Sequence, residues 1–117
     1  MVRLTVVMQA TAREAPKLLE AFRYLMVRTR LDPGCVECSA WTDADEHVHY
    51  VESWLDEAHV QRRVASDRFV PLLAILEAAR QPPRVQFDFV SKSRGLDYVA
   101  EVRKLPPPGN THEAGNA

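Results

Sequence analysis

The chain has 117 residues, which is enough for one domain with a real core but too few for two. It is 46% hydrophobic and 26% charged with a formal net charge of −1, and this balance favours neither a nucleic-acid-binding nor a membrane-surface protein. No apolar run is long enough to span a bilayer, and the first residues lack the features of a signal peptide. We therefore expect a cytoplasmic protein that binds neither membranes nor nucleic acid.

A strand and a helix are predicted first. Alternating apolar residues predict a strand over residues 3–9, and a helix then begins somewhere in residues 11–15. Thr11 and Glu14 have capping-box spacing, whereas Pro16 is tolerated only in the first helical turn. The two signals therefore place the start of the helix a residue or two apart. The residues with core-facing spacing in this helix are Leu18, Leu19, Phe22, Leu25 and Met26.

A hairpin follows the helix, which Asp32-Pro33-Gly34 ends. Residues 35–42 and 48–54 read as two antiparallel strands joined by a polar turn. In a regular strand Cys35 and Cys38 lie on opposite faces and roughly 10 Å apart, too far for a disulfide. We expect two reduced thiols, because neither a redox helix nor a second zinc-ligand pair accompanies them.

The most informative stretch begins in the third predicted strand, where Tyr50, Glu52 and Trp54 alternate onto one bulky face. Asp56 fits an N-cap for a helix that begins at Glu57. In that helix a guanidinium lies on the same stripe as two aliphatic residues, an early sign of a site. The stripe is Val60, Arg63 and Val64.

Three further elements complete the chain. Ser66 can cap a second helical segment that continues to residue 79, with the stripe Phe69, Leu72, Leu73 and Leu76. Residues 84–90 form a fourth strand whose inner face is Val85, Phe87 and Phe89. Residues 95–104 form a short helix that docks through Leu96, Val99 and either Val102 or Arg103. The domain spans residues 1–104, and residues 105–117 should be a disordered tail.

The element order is βαββαβ, which predicts an α+β, ferredoxin-like fold with a four-stranded antiparallel sheet and helices on one face. The other face would be too apolar to leave in water, so we expect a homodimer joined through the sheet faces. The residues predicted on this uncovered face are Thr5, Val7, Val36, Cys38, Ala40, Val51 and Val90.

Residues 3–103 resemble the antibiotic biosynthesis monooxygenase family of dimeric α/β barrels. The residues that carry the resemblance are Pro33-Gly34-Cys35, Trp41 where the family usually has Tyr, Asp43, Glu52-Ser53-Trp54, Asp56, Ser66-Asp67-Arg68-Phe69, Pro83, Phe87 and Arg94-Gly95. The chain departs from the family at Arg63 and Arg68, where histidines are common. It is further from the haem-degrading branch, since the first strand has no Asn and Leu73 stands where that branch has its haem-ligating His.

The resemblance implies a cofactor-independent monooxygenase that oxidises a small aromatic, phenolic or quinol compound with O2, without a metal. Such chemistry needs an apolar pocket, a proton acceptor and donors that stabilise the substrate anion. Glu52 would be the base, made stronger by apolar neighbours, and Arg63 the anion donor. The candidate pocket residues are Tyr50, Trp54, Val60, Arg68, Phe69 and Trp41. A buried Glu52–Arg63 ion pair that only closes the core is the alternative.

The other polar clusters admit simpler interpretations. For His59 a surface capping role is favoured over a catalytic one. His47 with His49 does not complete a metal site, because Glu52 points to the other strand face. Arg62, Arg63 and Arg68 form a basic cluster that would suit an anionic ligand or pair with nearby acids.

Two other functions remain open: a non-catalytic small-molecule-binding or stress-related dimer, and, more weakly, an isomerase or decarboxylase on the same scaffold.

Overall fold

The computed structural model describes residues 1–104 and confirms the predicted α+β, ferredoxin-like architecture. Its strands are β1 (Val2–Met8), β2 (Cys35–Thr42), β3 (Val48–Trp54) and β4 (Arg84–Phe89), all paired antiparallel in the order β2-β3-β1-β4. Its helices are α1 (Ala15–Thr29), α2 (Glu57–Ala65), α3 (Val70–Glu77) and α4 (Leu96–Arg103), with one 3-10 turn at Asp67–Phe69. The tail predicted at 105–117 lies outside the described residues. No helix within residues 1–104 is long and apolar enough to cross a membrane.

One sheet face carries the core. The even-numbered residues of β1 are buried and pair with the bulky face of β3, so that Leu4 lies opposite Glu52 and Val6 opposite Tyr50. Phe22 and Met26 of α1 and Leu72 of α3 pack on this face, which we call the helix face. The predicted alternation of β3 is therefore confirmed. The other face, which we call the open face, carries Thr5, Val7, His49, Val51 and Ser53 of the two central strands.

A β-bulge near the start of β2 overturns one prediction. Cys35 pairs with Trp54, and Glu37 pairs with Ser53, the neighbour of Trp54 in β3. Val36 is therefore an extra residue in β2. Because one extra residue moves every later side chain to the other face, Cys38 lies opposite Glu52 on the helix face. The two cysteines thus share a face instead of lying on opposite ones, and both are free thiols.

The same bulge corrects the predicted composition of the open face. Ala40 pairs with Tyr50 and therefore belongs, like Cys38, to the helix face. The β2 residues on the open face are instead Glu37, Ser39 and Trp41. Thr5, Val7 and Val51 do lie there, but the face is more polar than the sequence predicts.

The start of α1 satisfies both sequence signals. The Thr11 hydroxyl accepts a hydrogen bond from the backbone N–H of Glu14 at 3.2 Å, and the Glu14 carboxylate accepts from the Thr11 N–H at 3.3 Å. This capping box forms one turn ahead of the regular helix at Ala15, which leaves Pro16 in the first turn, where its missing N–H does no harm. After α1, Gly34 turns the chain with a φ of +84°.

Two side-chain caps divide the region after β3. Asp56 accepts from the backbone N–H of His59 at 2.9 Å and begins α2, and the Ser66 hydroxyl accepts from the N–H of Arg68 at 3.1 Å and begins the 3-10 turn. Ser66 itself is extended, so the two predicted stripes belong to separate helical segments. Val64 and Leu73, predicted to face the core, are exposed instead.

The last two elements are less covered than predicted. Val85, Phe87 and Phe89 of β4 do lie on the helix face, opposite Val6, Leu4 and Val2. However, β4 is an edge strand, and all three side chains are exposed. The docking residues predicted for α4 are exposed as well: Leu96, Val99 and Val102. Within one chain α4 therefore does not dock through these three residues, and its buried residue is Ala100.

Candidate functional site

Four hydrogen-bond donors converge on the carboxylate of Glu52, which is fully buried at 0% exposure. Its Oε1 accepts from the indole Nε1 of Trp54 at 3.0 Å and from Nε of Arg63 at 3.1 Å. Its Oε2 accepts from the Tyr50 hydroxyl at 2.5 Å and from an Arg63 Nη at 2.8 Å. A carboxylate offers about four lone-pair positions, so every acceptor position of Glu52 is occupied.

Local sequence patterns explain how these groups meet. The strand period of two places Tyr50, Glu52 and Trp54 on the helix face of β3. The Asp56 cap fixes the start of α2, and Arg63 follows two turns later on the side that faces the sheet, with only 4% exposure. The ring of Tyr50 is held in turn by stacking on Phe22 of α1, with centroids 4.8 Å apart.

Arg63 is the bridge between the core and the surface. Besides its paired bond to Glu52, it donates to the backbone carbonyl of Arg68 at 3.1 Å, and its guanidinium lies 5.2 Å from the centroid of the Phe69 ring. A guanidinium has five N–H donors, and these contacts leave two for another acceptor. Burial acts to lower the pKa of Arg63, but the hydrogen bonds and charge of Glu52 outweigh it and raise the pKa above its usual value.

The polar groups beside Glu52 are held in their neutral forms. Burial, reinforced by the negative charge of Glu52, raises the pKa of Tyr50 far above its usual value. The Cys38 thiol lies 3.5 Å from the Tyr50 hydroxyl, and burial raises its pKa to about 11. Neither group is therefore a proton acceptor or nucleophile near neutral pH.

Two cavities open on either side of Arg63. The first, which we call the Tyr24 cavity, has a volume of about 180 Å³ and lies between α1 and α3. The second, the Trp54 cavity, has about 150 Å³ and lies along α2, from His59 in its first turn to Ser66 at its end. Both are bounded by Asp32, Arg63 and Arg68, and the Arg68–Asp32 ion pair, at 2.7 Å, separates their mouths. The remaining lining residues are Tyr24, Leu25, Arg28, Thr29 and Pro71 in the first and Pro33, Trp54, His59, Arg62 and Ser66 in the second.

The structure brings most of the predicted site residues together. Tyr50, Trp54 and Arg63 surround Glu52 directly. The three others on the same side of the sheet are Val60, packed on Trp54, Phe69, beside Arg63, and Arg68, at the mouth of both cavities.

The prediction that Trp41 lines the pocket is wrong. Trp41 pairs with His49 on the open face and stacks on that imidazole, with centroids 5.1 Å apart and rings 4° from parallel. The β2 bulge is the cause, since it exchanges the faces of every residue after Val36.

His59 and Gly34 are site residues that the sequence pattern does not predict. The His59 ring lines the Trp54 cavity, and its Nδ1 lies 2.6 Å from the Asp56 carboxylate. The ring packs on Gly34 so closely that a Cβ there would lie 2.2 Å from its Cδ2 atom. The three-residue spacing of Asp56 and His59 is a visible signal, but it matches an ordinary capping turn equally well.

Two further polar regions lie outside this site. A third cavity, of about 380 Å³, lies at the opposite end of the helix layer and is lined by Met8, Leu18 and Ile75 together with Glu14, Lys17 and Arg80. His49 binds Asp43 at 2.8 Å on the open face, away from Glu52 as predicted. Within residues 1–104, no three His, Cys, Asp or Glu side chains are grouped to hold a metal ion.

Comparison with known proteins identifies the fold. No protein-family model matches the chain, and no curated protein sequence matches it. Among solved structures, one named an antibiotic biosynthesis monooxygenase has a TM-score of 0.64 at 21% identity, over 79% of this chain and 100% of that one. Proteins from Deinococcus radiodurans and Nitrosomonas europaea, provisionally given the same name, have TM-scores of 0.71 and 0.66 at 16% and 12% identity.

The match with the Deinococcus protein covers 81% of this chain and 97% of that one. The match with the Nitrosomonas protein covers 79% of this chain and 100% of that one. Other solved structures with this fold come from proteins of unknown function. At such identities the likeness establishes the fold. It supports the resemblance drawn from the sequence, while the activities belong to the proteins so named.

Proposed function

We propose that this protein is a monooxygenase-type oxidoreductase that oxidises a small phenolic, quinol or related aromatic compound bound beside Arg63. The observation that carries the proposal is the Arg63 guanidinium, which is buried and ion-paired yet lines two cavities and retains two N–H donors. The fold shared with proteins named antibiotic biosynthesis monooxygenases supports the reaction class.

The proposed chemistry uses the substrate as its own reductant. Loss of a hydroxyl proton gives an electron-rich anion that reduces O2. At an anthrone methylene, for example, two C–H bonds are replaced by a C=O bond, one oxygen atom enters the product and the other leaves as water. The electrons come from the substrate, so the proposal needs no metal or flavin. The chain would contribute guanidinium donors that stabilise the anion and an aromatic wall, Trp54, that holds the ring.

Glu52 takes a different part in this proposal from the base predicted from the sequence. Its four acceptor positions are filled, and Arg63 balances its charge at two contacts, so it has no free position for a substrate proton. We propose that Glu52 is a positioning residue that fixes the planes of Arg63 and Trp54 at the cavity wall.

A non-catalytic small-molecule-binding protein is the second candidate. The observation that favours it is the same saturation of Glu52, together with arginines at positions 63 and 68, because none of these groups can exchange a substrate proton near neutral pH. Such a protein would retain the cavities and bind aromatic anions without oxidising them.

Oxygen uptake separates the two candidates. The protein is mixed with a panel of hydroquinones, anthrones and catechols, and O2 consumption is followed beside equilibrium binding. Saturable uptake with one ¹⁸O atom in the product from ¹⁸O2 supports the monooxygenase. Binding without uptake favours the second candidate, and the absence of both contradicts the two together. In an active protein, a folded Glu52→Gln variant should retain turnover, because Glu52 only positions Arg63. Abolished turnover with unchanged substrate binding would instead show that Glu52 is the base.

We also propose that the protein is a homodimer joined through the open faces of two sheets. The centre of that face is apolar at Val7 and at Val51, which is 7% exposed in the single chain, and Trp41 is 44% exposed on the same face. The exposed apolar side chains of β4 lie on the helix face, so contacts between the open faces alone would not cover them.

A further inference from the structure

We propose that His59, oriented by Asp56, accepts the proton of a single-ring phenol bound in the Trp54 cavity. This inference rests on the proposed function and supplies the proton acceptor that Glu52 cannot be. It assigns to His59 a role beyond the capping turn in which the sequence places it.

The Asp56 carboxylate fixes the tautomer of His59. One oxygen, Oδ1, accepts both the backbone N–H of His59 at 2.9 Å and the ring Nδ1 at 2.6 Å. These two bonds, the backbone bond first, lower the pKa of Asp56, which is therefore ionised and can only accept. The hydrogen between them belongs to Nδ1, so a neutral ring carries its lone pair on Nε2.

The ring is also fixed in position. Gly34 approaches it so closely that any side chain at that residue would overlap the imidazole. The His59 side chain is 20% exposed, and its ring forms part of the wall that it shares with Trp54 and Arg63. Among residues 1–104 the ring Nε2 has no hydrogen-bond partner, and an imidazole held at its other nitrogen by a carboxylate, beside a cavity, is the arrangement required of a general base.

Charged groups from every neighbouring element face this cavity. Arg62 and Arg63 come from α2, Arg68 from the 3-10 turn, and Asp32 from the turn after α1. Asp56 does not line the cavity but contacts the His59 ring, which does. Arg68 is paired with Asp32 and Arg63 with Glu52. Three carboxylates, those of Asp32, Glu52 and Asp56, balance the three guanidinium groups, but of these carboxylates only Asp32 lines the cavity, so an anion formed there would meet guanidinium N–H donors.

Cavity size sets the class of ligand. Pockets for drug-sized molecules have volumes of roughly 300–1,000 Å³, and the Trp54 cavity has about 150 Å³, so a one-ring phenol fits the proposal better than a fused anthrone. In the proposed step the phenol O–H bond breaks, its proton moves to Nε2 of His59, and a phenolate–imidazolium pair forms beside the guanidinium groups. No oxidant takes part in this step.

The test uses 4-nitrophenol, whose anion absorbs visible light, under anaerobic conditions and at about pH 7, where a large part of the free phenol is still protonated while an imidazole is ordinarily neutral and can accept a proton. We expect the wild-type protein to bind it and produce the phenolate band without releasing a proton to the buffer, because His59 retains it. In His59→Gln, the phenolate fraction should fall by about tenfold while the affinity changes by less than about threefold. Proton release is measured by calorimetry in buffers of different ionisation enthalpy.

Two variants separate this role from a structural one. Asp56→Asn keeps the helix cap, since Asn caps as well as Asp, but replaces the carboxylate that holds Nδ1–H, so it too should lower the phenolate fraction. His47→Gln removes a histidine beside Asp43 in the hairpin turn and should match the wild type. An unchanged band in a folded His59→Gln or Asp56→Asn protein would overturn the proposal, as would failure of the wild type to bind the phenol or to form the band.

This result is independent of oxygen chemistry. A wild type that ionises 4-nitrophenol on His59 but consumes no O2 with any substrate would support the assignment of His59 and contradict the proposed oxidation. A wild type that consumes O2 equally well after His59→Gln would support the oxidation and contradict the role of His59.

Discussion

The Glu52 carboxylate is satisfied as completely as a buried anion can be, and this decides what it can do. A base must offer a lone pair to its substrate, but both oxygens already accept two bonds each, from Tyr50, Trp54 and Arg63. A buried charge without such partners is strongly unfavourable. The network therefore serves first to make a carboxylate possible in this core, and any contribution to binding passes through Arg63.

Separating Glu52 from Arg63 should destabilise the fold strongly. We expect Glu52→Gln or Arg63→Met alone to lower the free energy of unfolding by about 3–5 kcal/mol, because each leaves an uncompensated partner in the core. The double variant should lower the free energy of unfolding by clearly less than the sum of the two single effects. Urea unfolding of the four proteins measures the coupling. The exposed Arg80–Glu14 pair, at 3.5 Å, is the matched control and should show no measurable coupling, and simple additivity at Glu52 and Arg63 would contradict this account.

The Cys38 thiol should make the fold sensitive to alkali. Burial raises its pKa from 9.0 to about 11 in the folded chain, so between these values the unfolded chain binds fewer protons than the folded one, and stability falls as the pH rises. This contribution is fully present below pH 9. We expect Cys38→Ala to remove on the order of 1–2 kcal/mol from the stability loss between pH 8.5 and 10.5. Urea unfolding at both pH values tests this, and equal losses in the two proteins would contradict it.

At the scale of elements, the turn between α1 and β2 depends on one glycine. Gly34 has a φ of +84° and no room for a Cβ beside His59. Gly34→Ala should therefore lower the free energy of unfolding by about 1–2 kcal/mol through the left-handed backbone alone, and it should also displace the His59 ring. Thermal unfolding and the chemical shifts of the His59 ring measure the two effects.

Gly95→Ala is the matched control for that substitution. Gly95 has a negative φ, and a Cβ there would meet only Asp97, at 3.6 Å. This variant should unfold within about 0.5 kcal/mol of the wild type. Equal effects of the two substitutions would show that neither the left-handed backbone nor the contact with His59 matters.

Most element bounds could be predicted because their signals are local. The Asp56 and Ser66 caps and the alternation of Tyr50, Glu52 and Trp54 each depend on a few neighbouring residues, and all are confirmed. The bulge at Val36 could not be predicted in this way, since an extra residue is defined only by its pairing with β3. That single residue changes the faces of Cys38, Ala40 and Trp41.

The site could be predicted in part for a similar reason. Strand and helix periods place Glu52 and Arg63 on facing sides of two elements, so their contact could be anticipated from the sequence. The number of donors around Glu52 depends on the rotamers of Tyr50 and Trp54, and the place of His59 depends on its packing against Gly34. Neither follows from spacing along the chain.

At the scale of the whole molecule, one chain leaves two kinds of apolar surface uncovered. Trp41 stands on the open face, and Phe87 and Phe89 of β4 and Leu96 of α4 are exposed, although their spacing along the strand and the helix is that of core-facing residues. The two surfaces lie on opposite faces and at opposite edges of the sheet. A second copy can cover the open face only through contacts that repeat about a two-fold axis, so one substitution alters the interface twice.

Trp41→Glu should therefore break the proposed homodimer. Each interface would gain two carboxylates in place of two indoles, and we expect the dimer dissociation constant to rise by at least about a hundredfold, since desolvated charge is costly and aromatic residues dominate interfaces. Val27→Glu, at a residue of α1 that is 67% exposed and lies away from the sheet, is the matched control and should leave the association unchanged. Sedimentation velocity over a range of concentrations measures both, and circular dichroism checks that the monomers remain folded. A wild type that sediments as a single chain would rule out the dimer. A Trp41→Glu protein that still dimerises would show that the interface lies elsewhere, at the exposed surfaces of β4 and α4.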